Sequence, residues 1–250
     1  MTHFLKTLLL ASPLLVAISV LPVAAYDAPK VEVPPIIDGN MDDVAWQQAS
    51  WQPINHLILG KTDGPADFSG RYKIVWTTDR LYVLAMITDD VLLDRTANPL
   101  ERYWEDDIFE ILVDEDASGG DHHHSYNAFA YHISLDDQAV DIDESGNPRL
   151  LNDHIESHWQ RSIEHDSAVL WEISVQIYDD SFSDKTTDAK PIALSANKTM
   201  GFMIAYCDAD DPDNGREAFI TSHDIAPVNG DKNRAYLDAS VFGKLVLVDQ

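Results

Sequence analysis

RYKIVWTTDRLYVLAMI, residues 71–87, is the stretch from which the fold class follows. Its flanks, residues 71–76 and 81–87, are rich in β-branched and aromatic side chains, and the polar Thr77-Thr78-Asp79-Arg80 parts them. Two strands around a tight turn read this way. The pattern recurs along the chain. In residues 107–113, Ile108, Glu110 and Leu112 fall on one face of an extended segment, and Phe109, Ile111 and Val113 on the other. Residues 128–135, 169–177, 201–207 and 242–248 continue it, separated by turn residues such as Ser118-Gly119-Gly120 and Asp213-Asn214-Gly215. Helical periodicity is confined to residues 42–49, a short helix expected to turn Trp46 inward. The spacing predicts an all-β chain, an antiparallel β-sandwich of jelly-roll type with long loops and little helix. Residues 88–105, 145–164 and 208–236 are too long for hairpin turns and are expected to form loops that carry function.

Ahead of this pattern stands a leader. A short basic start, MTHFLK, precedes an apolar run broken by Pro13 and Pro22, and Val23-Ala24-Ala25 fits a small-residue cleavage site. The run is too short and interrupted to span a bilayer. Residues 1–25 are therefore expected to direct export to the periplasm or the medium, leaving one domain over residues 26–250 without membrane insertion. The chain carries 43 acidic and 17 basic residues, a net charge of −26. Such a surface repels nucleic acid and anionic membranes, and it suits neutral ligands and divalent cations. The single cysteine, Cys207, permits no internal disulfide, and its apolar setting reads as a small buried hydrophobe.

Several side chains depart from the core pattern. Trp46, Trp76 and Trp171 sit among apolar residues, but Trp104 is followed by Glu105-Asp106-Asp107. An indole in that company is placed to stack on the apolar C–H face of a pyranose; covering a sandwich edge is the rival role. Glu110 interrupts an apolar strand, and a carboxylate there strengthens hydrogen bonds to sugar hydroxyls. Glycoside hydrolysis would need a second carboxylate facing it, and no motif selects one. His122-His123-His124 follow a glycine turn, and His132, His154 and His158 lie further on; with Met200 and Met203 they keep a metal or haem carrier open as an alternative. His154 and His158 would share a face if helical. Neither HExxH nor CxxC occurs. The run from Asp208 to Gly215 has the composition of a calcium loop, with Asp208, Asp210 and Asp213 as candidate ligands of a structural calcium, although Pro212 breaks the EF-hand spacing.

Taken in order, these features resemble a known family. Ile36-Ile37-Asp38-Gly39-Asn40-Met41-Asp42-Asp43-Val44-Ala45-Trp46, the segment from Ile74 to Val83, Asp89-Asp90, Trp104, the segment from Asp107 to Asp114, and Phe242-Gly243-Lys244-Leu245 are similar to the signatures of family 9 carbohydrate-binding modules. The resemblance implies an antiparallel β-sandwich with bound calcium and a non-catalytic role, holding a mono- or oligosaccharide between two tryptophans in support of glycoside hydrolases. Trp104 matches the first tryptophan and Glu110 a ligand-binding carboxylate. Fully extended, the six-residue step between them would span about 20 Å, so Trp104 must lie on a loop that folds back. On the next strand His132 and Ser134 stand where the family carries arginine and asparagine, with Asn127 as a further polar contact. No tryptophan follows Trp171, and His223 is the ring nearest the place of the second one.

Overall fold

The computed structural model describes residues 25–165 and 168–249; of the leader, residues 1–25, all but Ala25 lie outside them. Among the described residues the chain forms fourteen strands. The first five are β1 (Tyr26–Pro29), β2 (Gln52–Ile54), β3 (His56–Gly60), β4 (Phe68–Trp76) and β5 (Leu81–Asp89). Then come β6 (Ile108–Asp114), β7 (Phe129–Ile133), β8 (Ala139–Ile142), β9 (Pro148–Leu150) and β10 (Ile155–Ser162). The last are β11 (Ala168–Val175), β12 (Thr199–Asp208), β13 (Ala218–Thr221) and β14 (Gly243–Val248).

Nine strands make one sheet, in the order β1-β14-β12-β6-β7-β8-β9, with β13 on β12 and β3 on β13. Five make the other, in the order β10-β11-β5-β4-β2. The ladders are antiparallel except β1 with β14, which run parallel from Tyr26↔Leu245 to Pro29↔Val248. Trp76 ties this closure to the second sheet: its Nε1 donates to Ala28 O at 3.0 Å and to Val248 O at 3.2 Å.

Period-two alternation sorts the side chains as expected. Phe109, Ile111 and Val113 enter the core between the sheets, beside Trp171, Tyr131 and Tyr206. Ile108 and Leu112 point outward, where Met203, Ala205, Cys207 and Phe219 join them and Ile225 and Ala235 cover them. The segment after β13 thus roofs the outer face of the nine-stranded sheet.

The helix expected over residues 42–49 is a five-residue 3-10 turn, Val44–Gln48. Trp46 is buried on the outer face of the other sheet, as expected, and its Nε1 donates to Glu172 Oε1 at 2.7 Å. Residues 145–164 are not a loop, because they contain β9 and β10. Strand β10 lies at a sheet edge, where its exposed face takes polar residues, so the apolar run that marks a central strand is missing. His154 precedes that strand and His158 lies within it, so the two do not share a helix face. Strand β13 likewise interrupts residues 208–236.

Glu172 is fully buried and also accepts Asp38 N and Gly39 N, each at 3.0 Å. Burial pushes its carboxyl up from 4.5 to about 7 despite these donors. A carboxyl raised in the folded state adds stability below its unfolded value, and that contribution is lost as pH rises through about 7. Glu172→Gln should therefore flatten the fall in melting temperature between about pH 4.5 and 7. Thermal melts of both proteins across that range check this; parallel curves would assign the fall to other carboxyls.

Candidate functional site

On the outer face of the nine-stranded sheet lies a cavity of about 500 Å³. Strands supply its floor: Glu110 from β6, His132 opposite it on β7, and Phe219 from β13. Loops supply rings at its walls: Tyr103 and Trp104 before β6, and Tyr236 after β13. Trp104 is 38% and Tyr236 45% exposed, so both indole and phenol meet solvent at the rim rather than the core.

The Trp104 loop folds back over the strand, as the six-residue step to Glu110 required. Arg95 fixes it, with Nε 2.9 Å from Asp106 Oδ1 and Nη2 donating to Glu105 O at 3.2 Å. Arg95 also reaches the carbonyls of Asp211 and Pro212, joining this loop to the one after β12. Gly215 makes the approach possible: a Cβ there would lie 1.8 Å from Glu105 Oε2. Glu105 in turn accepts Trp104 Nε1 at 3.0 Å, and Tyr103 packs edge-on against both Trp104 (4.8 Å between centroids) and His132 (4.7 Å).

Glu110 is 3% exposed, and its Oε1 is engaged within the protein. His132 Nε2 lies 3.3 Å away, and the Cys207 thiol donates to it at 3.2 Å. Since His132 Nδ1 donates to Ala130 O at 2.8 Å, its Nε2 serves a Glu110 carboxylate as a donor only in the imidazolium form. Burial pushes the Cys207 thiol well up, which keeps it a donor. Arg216 Nη1 donates to the same sulfur at 3.3 Å. Oε2 of Glu110 has no hydrogen bond to the described residues and remains for whatever enters the cavity.

Trp104, Glu110 and His132 are thus brought together, and Asn127, Ser134 and His223 are not. Asn127 Nδ2 donates to Gly119 O at 2.8 Å and holds the turn before β7. Ser134 Oγ turns to Asp136 and Gln138 beyond the strand end. His223 bonds Ser222 Oγ at 2.9 Å and lies over Gly243, lining a different hollow with Tyr26 and Tyr72. The late ring at the cavity is Tyr236. Its signal in the sequence is a lone aromatic in a polar segment, further along than His223. Tyr103, Phe219 and Arg216 were missed as well; neighbours on other strands bring them in.

A second feature sits where β4 and β6 begin and β5 and β12 end. Carboxylate oxygens of Asp89, Asp107 and Asp208 lie within 4.8 Å of one another, and Asp67, Asp90, Asp210 and Glu217 extend the group. Asp208 is 1% exposed, and both its carboxylate oxygens are buried without a hydrogen-bond partner. Burial, then the charge of Asp89, pushes its carboxyl up to about 8. Asp89 and Asp107 are also raised, by burial first and then by neighbouring carboxylates, although Tyr206 donates to one and Ala209 N to the other. Oxygens this crowded and unpaired fit a hard divalent cation. Asp208 and Asp210 belong to the group, and Asp213 does not. Asp213 is exposed where the loop reverses, its N–H held by Asp211 Oδ1 at 2.9 Å.

No histidine joins these groups among the described residues. His122 is buried with its Nε2 on Ala235 O at 2.8 Å, while the rings of His123 and His124 lie 4.3 Å apart. Met200 is in the core between the sheets and Met203 in the outer apolar cluster.

The chain is 33% identical over 81 residues to the endo-1,4-beta-xylanase A of Thermotoga neapolitana, which covers 32% of this chain and 7% of that enzyme. It spans less than a tenth of the curated relatives' length. In fold it is similar to a family 9 carbohydrate-binding module from Caldicellulosiruptor kristjanssonii in complex with cellotriose. The TM-score is 0.64 and the identity 18%, over 91% of this chain and 95% of that one. The glucose complex of a family 9 module from the same organism gives a TM-score of 0.63 at 19% identity, over 90% and 96%. The family described as "Carbohydrate family 9 binding domain-like" matches residues 37–250, and to that family the chain belongs.

Proposed function

We propose that the outer-face cavity binds a sugar, as a monosaccharide or the end of an oligosaccharide, and that the protein is an exported, non-catalytic carbohydrate-binding protein. One observation carries this: two exposed rings, Trp104 and Tyr236, share a cavity with the buried carboxylate of Glu110. Aromatic faces suit the apolar side of a pyranose, and a charged acceptor suits its hydroxyls. Tyr236 takes the place of the second tryptophan. Glu110 is the one carboxylate among the described residues lining the cavity, which supports binding over a two-carboxylate hydrolysis. The xylanase relative suggests work beside glycoside hydrolases. The carboxylates around Asp208 would hold a calcium ion and stiffen the loop junction beneath the site.

Calorimetry on the mature protein tests the reading, its N-terminus expected at Tyr26 by mass spectrometry. The solved relatives suggest glucose and cellotriose as first ligands, with xylose oligomers beside them. Glu110→Gln should weaken binding about tenfold, since a charge-assisted hydrogen bond contributes roughly 1.5–3 kcal/mol. A folded protein silent across the panel would reject the sugar reading.

A further inference from the structure

Arg216 is the guanidinium in the cavity wall, and it meets no carboxylate there within ion-pair distance. Arg95, Arg149 and Arg234 each pair with a carboxylate. Arg216 pairs with none among the described residues: Nη1 meets a sulfur, a weak acceptor, and Cζ lies 4.9 Å from the centroid of the Phe219 ring. In a chain of net charge −26, carboxylates are the commonest available partner. Here the cation is instead held by a thiol and an aromatic ring, leaving most of its five N–H donors unused.

The carboxylate at the cavity floor is engaged elsewhere. Glu110 Oε1 faces His132 Nε2 at 3.3 Å and accepts the Cys207 thiol at 3.2 Å, and no ion pair joins Glu110 to Arg216 among the described residues. Cys207 is a neutral thiol. Arg216 feels the charges of Glu110 and Glu105, yet neither carboxylate is joined to its guanidinium by a hydrogen bond or ion pair, so its fork stays open beside the rings of the cavity.

We infer that the preferred ligand is a sugar bearing one carboxylate, a uronic acid unit, with Arg216 as the residue that selects it. The inference rests on the sugar-binding reading and narrows its substrate class. The rings take the C–H face, Glu110 Oε2 accepts a hydroxyl, and the planar guanidinium fork receives the carboxylate, a geometry that a hydroxyl cannot fill. The acidic surface sets the context of that unit. A polyuronate would be repelled by the field of the whole protein, whereas a lone uronate at the end or branch of a neutral chain meets only the local charge.

The test is calorimetry of the unmodified mature protein with D-glucuronate and D-galacturonate, their methyl esters, and glucose and galactose. At least one free acid should bind about tenfold or more tightly than its own ester and its parent sugar. In Arg216→Gln the ratio of acid to ester affinity should fall to about one, and Arg216→Lys should keep part of it. If Arg216→Gln does not fold, the acid-to-ester ratio of the unmodified protein decides alone. Esters and neutral sugars that bind as well as the acids overturn the inference and leave the sugar reading standing. Silence from all of these and from cellotriose overturns both.

Discussion

Trp104→Ala is expected to weaken sugar binding by roughly 30- to 100-fold, with the fold intact. The indole is more than a third exposed and lies on a loop, so its removal opens no hole in either apolar core. What it loses is the apolar area it would cover against a pyranose, about 2–3 kcal/mol for a large ring. Tyr236→Ala should lose less, since the phenol is smaller and more exposed. Calorimetry reads the affinity, and a thermal melt within a degree or two of the unmodified protein confirms the fold. Unchanged affinity in both variants would move the binding site away from this cavity.

Calcium at millimolar concentration should raise the melting temperature by on the order of 10 °C over protein in chelator. A ligand near 1,000 times its Kd stabilises by about 4 kcal/mol, and a domain of this size shifts roughly 2–4 °C per kcal/mol. The same carboxylates that would hold the ion repel one another without it, so Asp208→Asn has two signs. In chelator it should melt above the unmodified protein, because a buried, unpaired carboxyl whose ionisation its surroundings disfavour is gone. In calcium it should melt below it, because a ligand is gone. Scanning calorimetry in both buffers checks the pair of signs. Identical melts with and without calcium would leave these buried carboxylates without an ion.

The sandwich was legible wherever strands are central. Residues 71–87, 107–113 and 201–207 are apolar on at least one face because packed neighbours flank them, and their alternation shows it. Edge strands such as β10 and the short β9 were not legible, since half of their side chains face water and read as loop. The parallel closure of β1 on β14 joins residues from opposite ends of the chain, and no local pattern announces that. The site divides in the same way. Glu110 stood out because a carboxylate inside an apolar strand needs a reason. Cys207 and Arg216 did not, because their meaning lies in a contact across β12 and β6. Asp213 was drawn in by a local run of acids, while Asp67, Asp89, Asp107 and Glu217 arrive from four strand ends. Position along the chain points to His223; which ring turns to the cavity depends on the path of the segment that roofs the sheet.

Arg95 spans the Trp104 loop and the turn after Asp208, so whatever stiffens one of them stiffens the other. Equilibria that share a structural element obey reciprocity. If an ion beneath the turn raises the affinity for sugar by some factor, a bound sugar must raise the affinity for the ion by the same factor. The ionic composition of the medium would then act as an allosteric input to sugar capture, with one arginine as the coupling element.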